Sequence, residues 1–138
     1  MKKIKNLLVI LIFTISLTIP INTKAISTEY TNITEKIESI EESGLSFENL
    51  VFNNWSNSNN PSVGISGIVS NTNNYEVSYK TITTLYDKNY NIILTINYEG
   101  KIPANTRYSY SDLKSDKSIL DVVKTNEIGY YKFDIEVE

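Results

Sequence analysis

The sequence predicts a mainly β protein: an antiparallel β-sandwich preceded by a short amphipathic helix, after a cleavable leader. Runs rich in β-branched and aromatic residues recur at intervals of roughly ten to fifteen residues, the habit of an all-β sandwich. Clusters of Asn, Ser and Gly separate them, as in "NNWSNSNNPS" and "NTNN", and these residues favour turns because their side chains bond the local backbone. Two runs alternate cleanly. "SVGISGIVSN" sets Val63, Ile65, Gly67 and Val69 on one face, and "NIILTINY" does the same for Ile92, Leu94, Ile96 and Tyr98.

The chain starts with Lys2, Lys3 and Lys5, runs through "LLVILIFTISLTIPI" and reaches "NTKA" at Ala25. A basic region, an apolar stretch and a small-residue cut site, in that order, read as a secretory signal peptide over residues 1–25. As a helix the apolar stretch would reach about 22 Å, against a hydrocarbon core of roughly 30 Å, and Pro20 and Lys24 interrupt its far end. The alternative is retention at the membrane by an uncleaved N-terminal segment. The chain has no cysteine, hence neither a disulfide framework nor a thiol to lipidate. The mature protein is therefore expected to be secreted, extracellular or associated with the cell wall, with no stable membrane insertion.

Next comes "NITEKIESIEESG", which places Ile33, Ile37 and Ile40 at helical spacing, with Asn32 as N-cap, Glu35 three residues on and Gly44 to end the helix. Residues 26–44 are thus expected to be a helix and linker, and 45–138 the sandwich domain. Strands are expected over 46–52, 62–70, 76–86, 91–98, 106–110 and 129–137. In "SDLKSDKSILDVVKTN", Ile119, Leu120, Val122 and Val123 fit a helical turn about as well as a strand and loop; a short helix is the preferred reading.

The stretch "LYDKNYNI" spaces Asp87, Asn89 and Asn91 like the first ligands of a calcium loop. Such a loop also needs Gly at its sixth position and Glu at its twelfth, where this chain has Ile92 and Tyr98. The stretch therefore reads as a hairpin turn, with no metal and no cofactor site expected.

Charge and composition exclude several function classes. All 16 acidic residues follow Ala25 while four of the 13 basic ones precede it, leaving the mature chain at −7. Nucleic acid is excluded as a partner, because its binding needs clustered positive charge. With neither His nor Cys, the Ser-His-Asp and Cys-His arrangements and the usual zinc sets are unavailable. Ser111-x-x-Lys114 matches one pair used by penicillin-interacting enzymes, but the triplet from Lys124 ends in Asn126 where Gly is required. No catalytic residue is expected. Tyrosine presents large area with a polar handle, and Trp55, Tyr86 and Tyr90 are the aromatics expected to contact a ligand.

Three spaced features together resemble the FxLYD-type domain of bacterial extracytoplasmic proteins: Ile65-x-Gly67-x-Val69-x-Asn71, Leu85-Tyr86-Asp87, and "IPANT" from Ile102 to Thr106. The resemblance covers roughly residues 45–138. It implies an immunoglobulin-like sandwich and brings no catalytic residues. The chain departs from the pattern at Thr83, where the family has Phe, and at Tyr90, where a glycine is usual. The expected function is a non-catalytic binding or structural, adhesive module at the bacterial cell envelope, meeting a cell-surface protein or carbohydrate. The alternative is a small secreted hydrolase acting on cell-wall polymers.

Overall fold

The computed structural model describes residues 23–138, so the expected leader lies outside the described residues except for its last three. Nine strands and one helix follow in order: β1 (Lys24–Ser27), β2 (Thr31–Asn32), β3 (Ile37–Glu42), β4 (Leu45–Asn54), β5 (Val63–Asn71), β6 (Val77–Asp87), β7 (Ile92–Ile102), β8 (Thr106–Ser111), α1 (Lys117–Thr125) and β9 (Ile128–Val137). They form two antiparallel sheets. In the first, the order is β1-β9-β6-β7, with β2 also on β9; in the second it is β3-β4-β5-β8.

The inner faces follow from alternation. Tyr79, Thr81, Thr83 and Leu85 of β6 are buried, as are Tyr131, Phe133, Ile135 and Val137 of β9, and the register sets these residues side by side. From the second sheet, Leu45, Phe47, Leu50, Val63, Ile65 and Val69 join the same core. Phe47 ties the layers together, its ring lying edge-on to Tyr79 at 5.5 Å, to Tyr110 at 5.0 Å and to Phe133 at 5.2 Å. Edge-to-face pairs place the positive ring edge on the negative face, which stabilises them beyond the area they bury.

Residues 26–44 do not form the expected helix. They supply β2, β3 and part of β1, and all three pair within the sheets: β1 and β2 along the free edge of β9, and β3 with β4. The misleading isoleucine spacing has a physical source in β4. Asn49 adopts φ 52°, and the pairing of β4 with β5 shifts between Glu48 and Val51, so a β-bulge brings Phe47 and Leu50, three residues apart, to the same face. Ile40 and Ile37 pair with Phe47 and Leu50 and inherit that three-residue step, which imitates a helical period. Ser43 and Gly44, at φ 53° and 78°, make the two-residue turn with both φ positive that suits strand twist.

A second bulge explains another departure. The partner of Leu85 is Leu94, yet that of Tyr86 is Ile92, so Ile93 is an extra residue. Alternation reverses there, and Ile92, expected on the inner face, is 66% exposed. The segment left between helix and strand is helical: α1 buries Leu120 and Val123, with Lys124 in its last turn where a cation complements the helix dipole. The Asn126 side chain donates to the Val122 carbonyl at 2.7 Å and closes its end.

Because β1–β3 complete both sheets, a chain beginning at Gly44 should lose its cooperative thermal transition. Circular dichroism would check this; a sharp melt in the shortened chain would show that β4–β9 carry the fold alone.

Candidate functional site

The stretch 85–92 is a tight turn built around Asp87. Its carboxylate accepts from the backbone N–H of Asn89 at 2.8 Å and of Asn91 at 2.9 Å, and from the Asn91 side chain. The Asp87 N–H in turn donates to the Asn91 carbonyl at 3.0 Å. These bonds, those from Asn91 foremost, hold the Asp87 carboxyl below the usual carboxylate range. At the tip, Tyr90 stands at φ 63°, a conformation bulky residues rarely adopt.

That turn throws Tyr90 onto the outer face of the first sheet, where four tyrosines meet. Tyr86 and Tyr130 are register partners, both one residue away from inward-facing neighbours. Tyr90 stacks on Tyr130 with ring centroids 4.7 Å apart. Tyr30, from the connection between β1 and β2, sets its ring edge-on to both Tyr86 and Tyr90, each at 4.9 Å. Lys132 holds its ammonium 4.9 Å from the Tyr30 ring centroid, a cation–π contact. The neighbouring Tyr130 hydroxyl raises the Tyr90 phenol above its ordinary value. Tyr30 and Tyr90 remain 46% and 51% exposed, so the cluster is a fixed aromatic surface with open faces and phenolic rims, suited to recognition.

Of the three aromatics read from the sequence, Tyr86 and Tyr90 are brought together here and Trp55 is not. Trp55 lies in the connection from β4 to β5, half exposed, its backbone bonded to Ser62 and Ser58. Among the described residues its ring makes no aromatic contact with the tyrosines. Tyr30 was missed because it lies in the segment read as linker. The pairing that joins Tyr86 to Tyr130 is long-range and leaves no local trace.

A second feature escaped sequence reading altogether. Asp112, just past β8, is 2% exposed and lies between the sheets. Its Oδ1 accepts from the Ile65 N–H at 2.5 Å and its Oδ2 from the Thr83 hydroxyl at 2.7 Å. Gly64, at φ 150°, leaves the space: a Cβ there would sit 2.6 Å from Oδ1. Burial pushes the carboxyl above its ordinary range, only partly offset by the Thr83 and Ile65 bonds and by Tyr110 and Lys114 nearby. Perturbed carboxyls often mark catalytic sites, but this one is enclosed in the core, with both oxygens engaged by structural donors. Tyr110 is likewise raised by burial, and its hydroxyl lies 2.7 Å from that of Thr81.

No protein-family model matches this chain, and no curated protein matches it.

The two aspartates impose opposite pH dependences. The folded-state Asp112 carboxyl titrates above its unfolded counterpart, so its contribution is full in acid and lost as pH rises through the folded value. Asp87 is lowered on folding, so its contribution is full above the unfolded value and lost as pH falls through the folded one. In urea melts, Asp112→Asn should therefore gain stability relative to the unmodified protein on going from acid to neutral pH. Asp112→Ala, which strands the Ile65 N–H, should cost about 2–4 kcal/mol.

Proposed function

We propose that this chain is an extracytoplasmic, non-catalytic binding module of the immunoglobulin-like, FxLYD type, held at a bacterial cell envelope and contacting a surface protein or carbohydrate through its tyrosine patch. The observation that carries the reading is Tyr90. A large aromatic in the left-handed region is strained, typically by about 1–3 kcal/mol, and it is half exposed rather than buried. Nothing in the core requires it. Such strain, kept at an exposed position and over-determined by Asp87 below and Tyr130 beside it, is characteristic of contact sites. Two further observations support the family reading. Asn71 donates its side-chain amide to the Ile102 and Pro103 carbonyls at 3.2 and 3.1 Å, joining two of the three features that carry the resemblance. Tyr90, where the family has a glycine, adopts a conformation natural to glycine.

The leader-like N-terminus supports export, and no helix among the described residues is long and apolar enough to cross a membrane.

Tyr90→Gly separates function from stability. It relieves the strained φ, so the melting temperature should hold or rise, while binding of the mature protein to purified envelope proteins or wall glycans should weaken about tenfold, as for an interface hot spot. Undiminished binding by Tyr90→Gly would remove the patch from the account. Soluble fragments released from wall glycans would favour the hydrolase.

A further inference from the structure

The outer face of the second sheet carries a shallow, open groove of about 390 Å³, lined by Ser46, Glu48, Ser70, Thr72, Asn105 and Arg107 among others. It lies on the sheet opposite the tyrosine patch. Ser46 pairs with Ser70, and Ser70 with Arg107, so three side chains stand in a row across β4, β5 and β8. Arg107 reaches over β5 to Glu48 in a two-pronged fork, with Nη1 3.0 Å from Oε1 and Nη2 2.8 Å from Oε2. Beside this span, Ser70 is 8% exposed, and its hydroxyl oxygen is buried with no hydrogen-bond partner. Buried hydroxyls are ordinarily satisfied, and one left alone calls for a partner.

We infer that this groove is a binding site for a neutral polyhydroxylated ligand, a saccharide unit whose adjacent hydroxyls pair with Arg107, Glu48 and Ser70. A guanidinium has five N–H donors, and the fork to Glu48 uses two of them. The others, with the free lone pairs of Glu48, offer donors and acceptors side by side, which is what vicinal hydroxyls need. Charge selects a neutral ligand: Arg107 is already matched by Glu48, and an anion would have to displace that carboxylate on a chain of mature charge −7. An extended peptide could add to the sheet here only along the free outer edge of β8, at one side of the site, and would not lie over the Ser46–Ser70–Arg107 row.

The rim is held in advance. The Asn71 side chain donates to the Tyr75, Ile102 and Pro103 carbonyls, the Asn105 N–H donates to the Asn73 carbonyl at 3.0 Å, and the Thr72 N–H donates to the Gly44 carbonyl at 2.9 Å. Little ordering is left for binding to supply, which favours affinity. Asn71 is a positioning residue in this site.

The test is an amide chemical-shift titration of the protein with N-acetylglucosamine trimer, maltotriose and, as the anionic comparator, glucuronate. The inference predicts saturable shifts at Ser70, Thr72 and Arg107 with at least one neutral trisaccharide and none with glucuronate at equal concentration. Arg107→Gln should weaken that binding about tenfold, and Ser70→Ala should weaken it without lowering the melting temperature, because the deleted hydroxyl has no partner to lose. Lys117→Gln, an exposed position on α1 away from both surfaces, should leave it unchanged. Absence of saturable shifts with both neutral sugars, tighter binding of glucuronate, or binding that survives Arg107→Gln would overturn the site. Sugar-induced shifts confined to the Tyr90 turn would overturn it too, while supporting the patch on the other sheet.

Discussion

One buried carboxylate joins the two sheets. Asp112 accepts from the Ile65 N–H in β5 and from the Thr83 hydroxyl in β6, so a single side chain satisfies a ladder donor of one layer and a core hydroxyl of the other. No Lys or Arg among the described residues pairs with it. Burying an unpaired charge is expensive, and only the donors make it tolerable. Those donors impose conditions on the sequence: position 64 must leave room for the carboxylate, and position 83 must carry a hydroxyl. The Thr83 hydroxyl and the buried Asp112 carboxylate are thus two halves of one interaction. Tyr131 adds a further polar link, donating to the Leu50 carbonyl across the core at 3.4 Å and to the Glu35 carbonyl at 3.0 Å, while burial leaves its phenol pushed up to about 12. Polar bonds inside a core are directional, so they specify how the layers align where apolar packing alone is permissive.

That internal bracing lies between the sheets, and both proposed contact surfaces lie outside it. The tyrosine patch depends on β6, β9 and the Asp87 turn keeping four rings in contact. The polar groove on the other sheet depends on β4, β5 and β8 holding three side chains in a row. Tyr86, Tyr130, Ser46, Ser70 and Arg107 sit on paired strands, while Tyr30 and Tyr90 sit in short connections, and side chains on rigid elements lose less entropy on binding. The strained φ at Tyr90 persists because the turn beneath it is tied at both ends through Asp87.

The sequence made the two-layer β architecture legible where alternation was unbroken. The six runs from 46 to 137 became β4 to β9, and "KSILDVVKT" became α1, because Leu120 and Val123 needed only one buried side. Legibility failed where long-range pairing overrides local pattern. Ile37 and Ile40 look helical because they face a bulge that lies in another strand, and Ile92 turns outward because of a bulge at Ile93. The candidate site was half legible. Tyr86 and Tyr90 sit beside recognisable turn chemistry, but Tyr30 joins them only through the pairing of β1 and β2 with β9. Asp112 gave no signal, since it falls at the start of the 111–126 segment read as a short helix, and nothing local says that its carboxylate is enclosed.

The central claim is that the Asp112 carboxylate holds the sheets together from inside a closed core. Native-state hydrogen exchange of the Ile65 amide tests it most directly, because that N–H donates to the carboxylate and not to a neighbouring strand. The account predicts exchange only through global unfolding, as slow as the most protected amides of β6 and β9. Exchange as fast as that of Asn89, whose N–H donates to an exposed carboxylate in the turn, would contradict it.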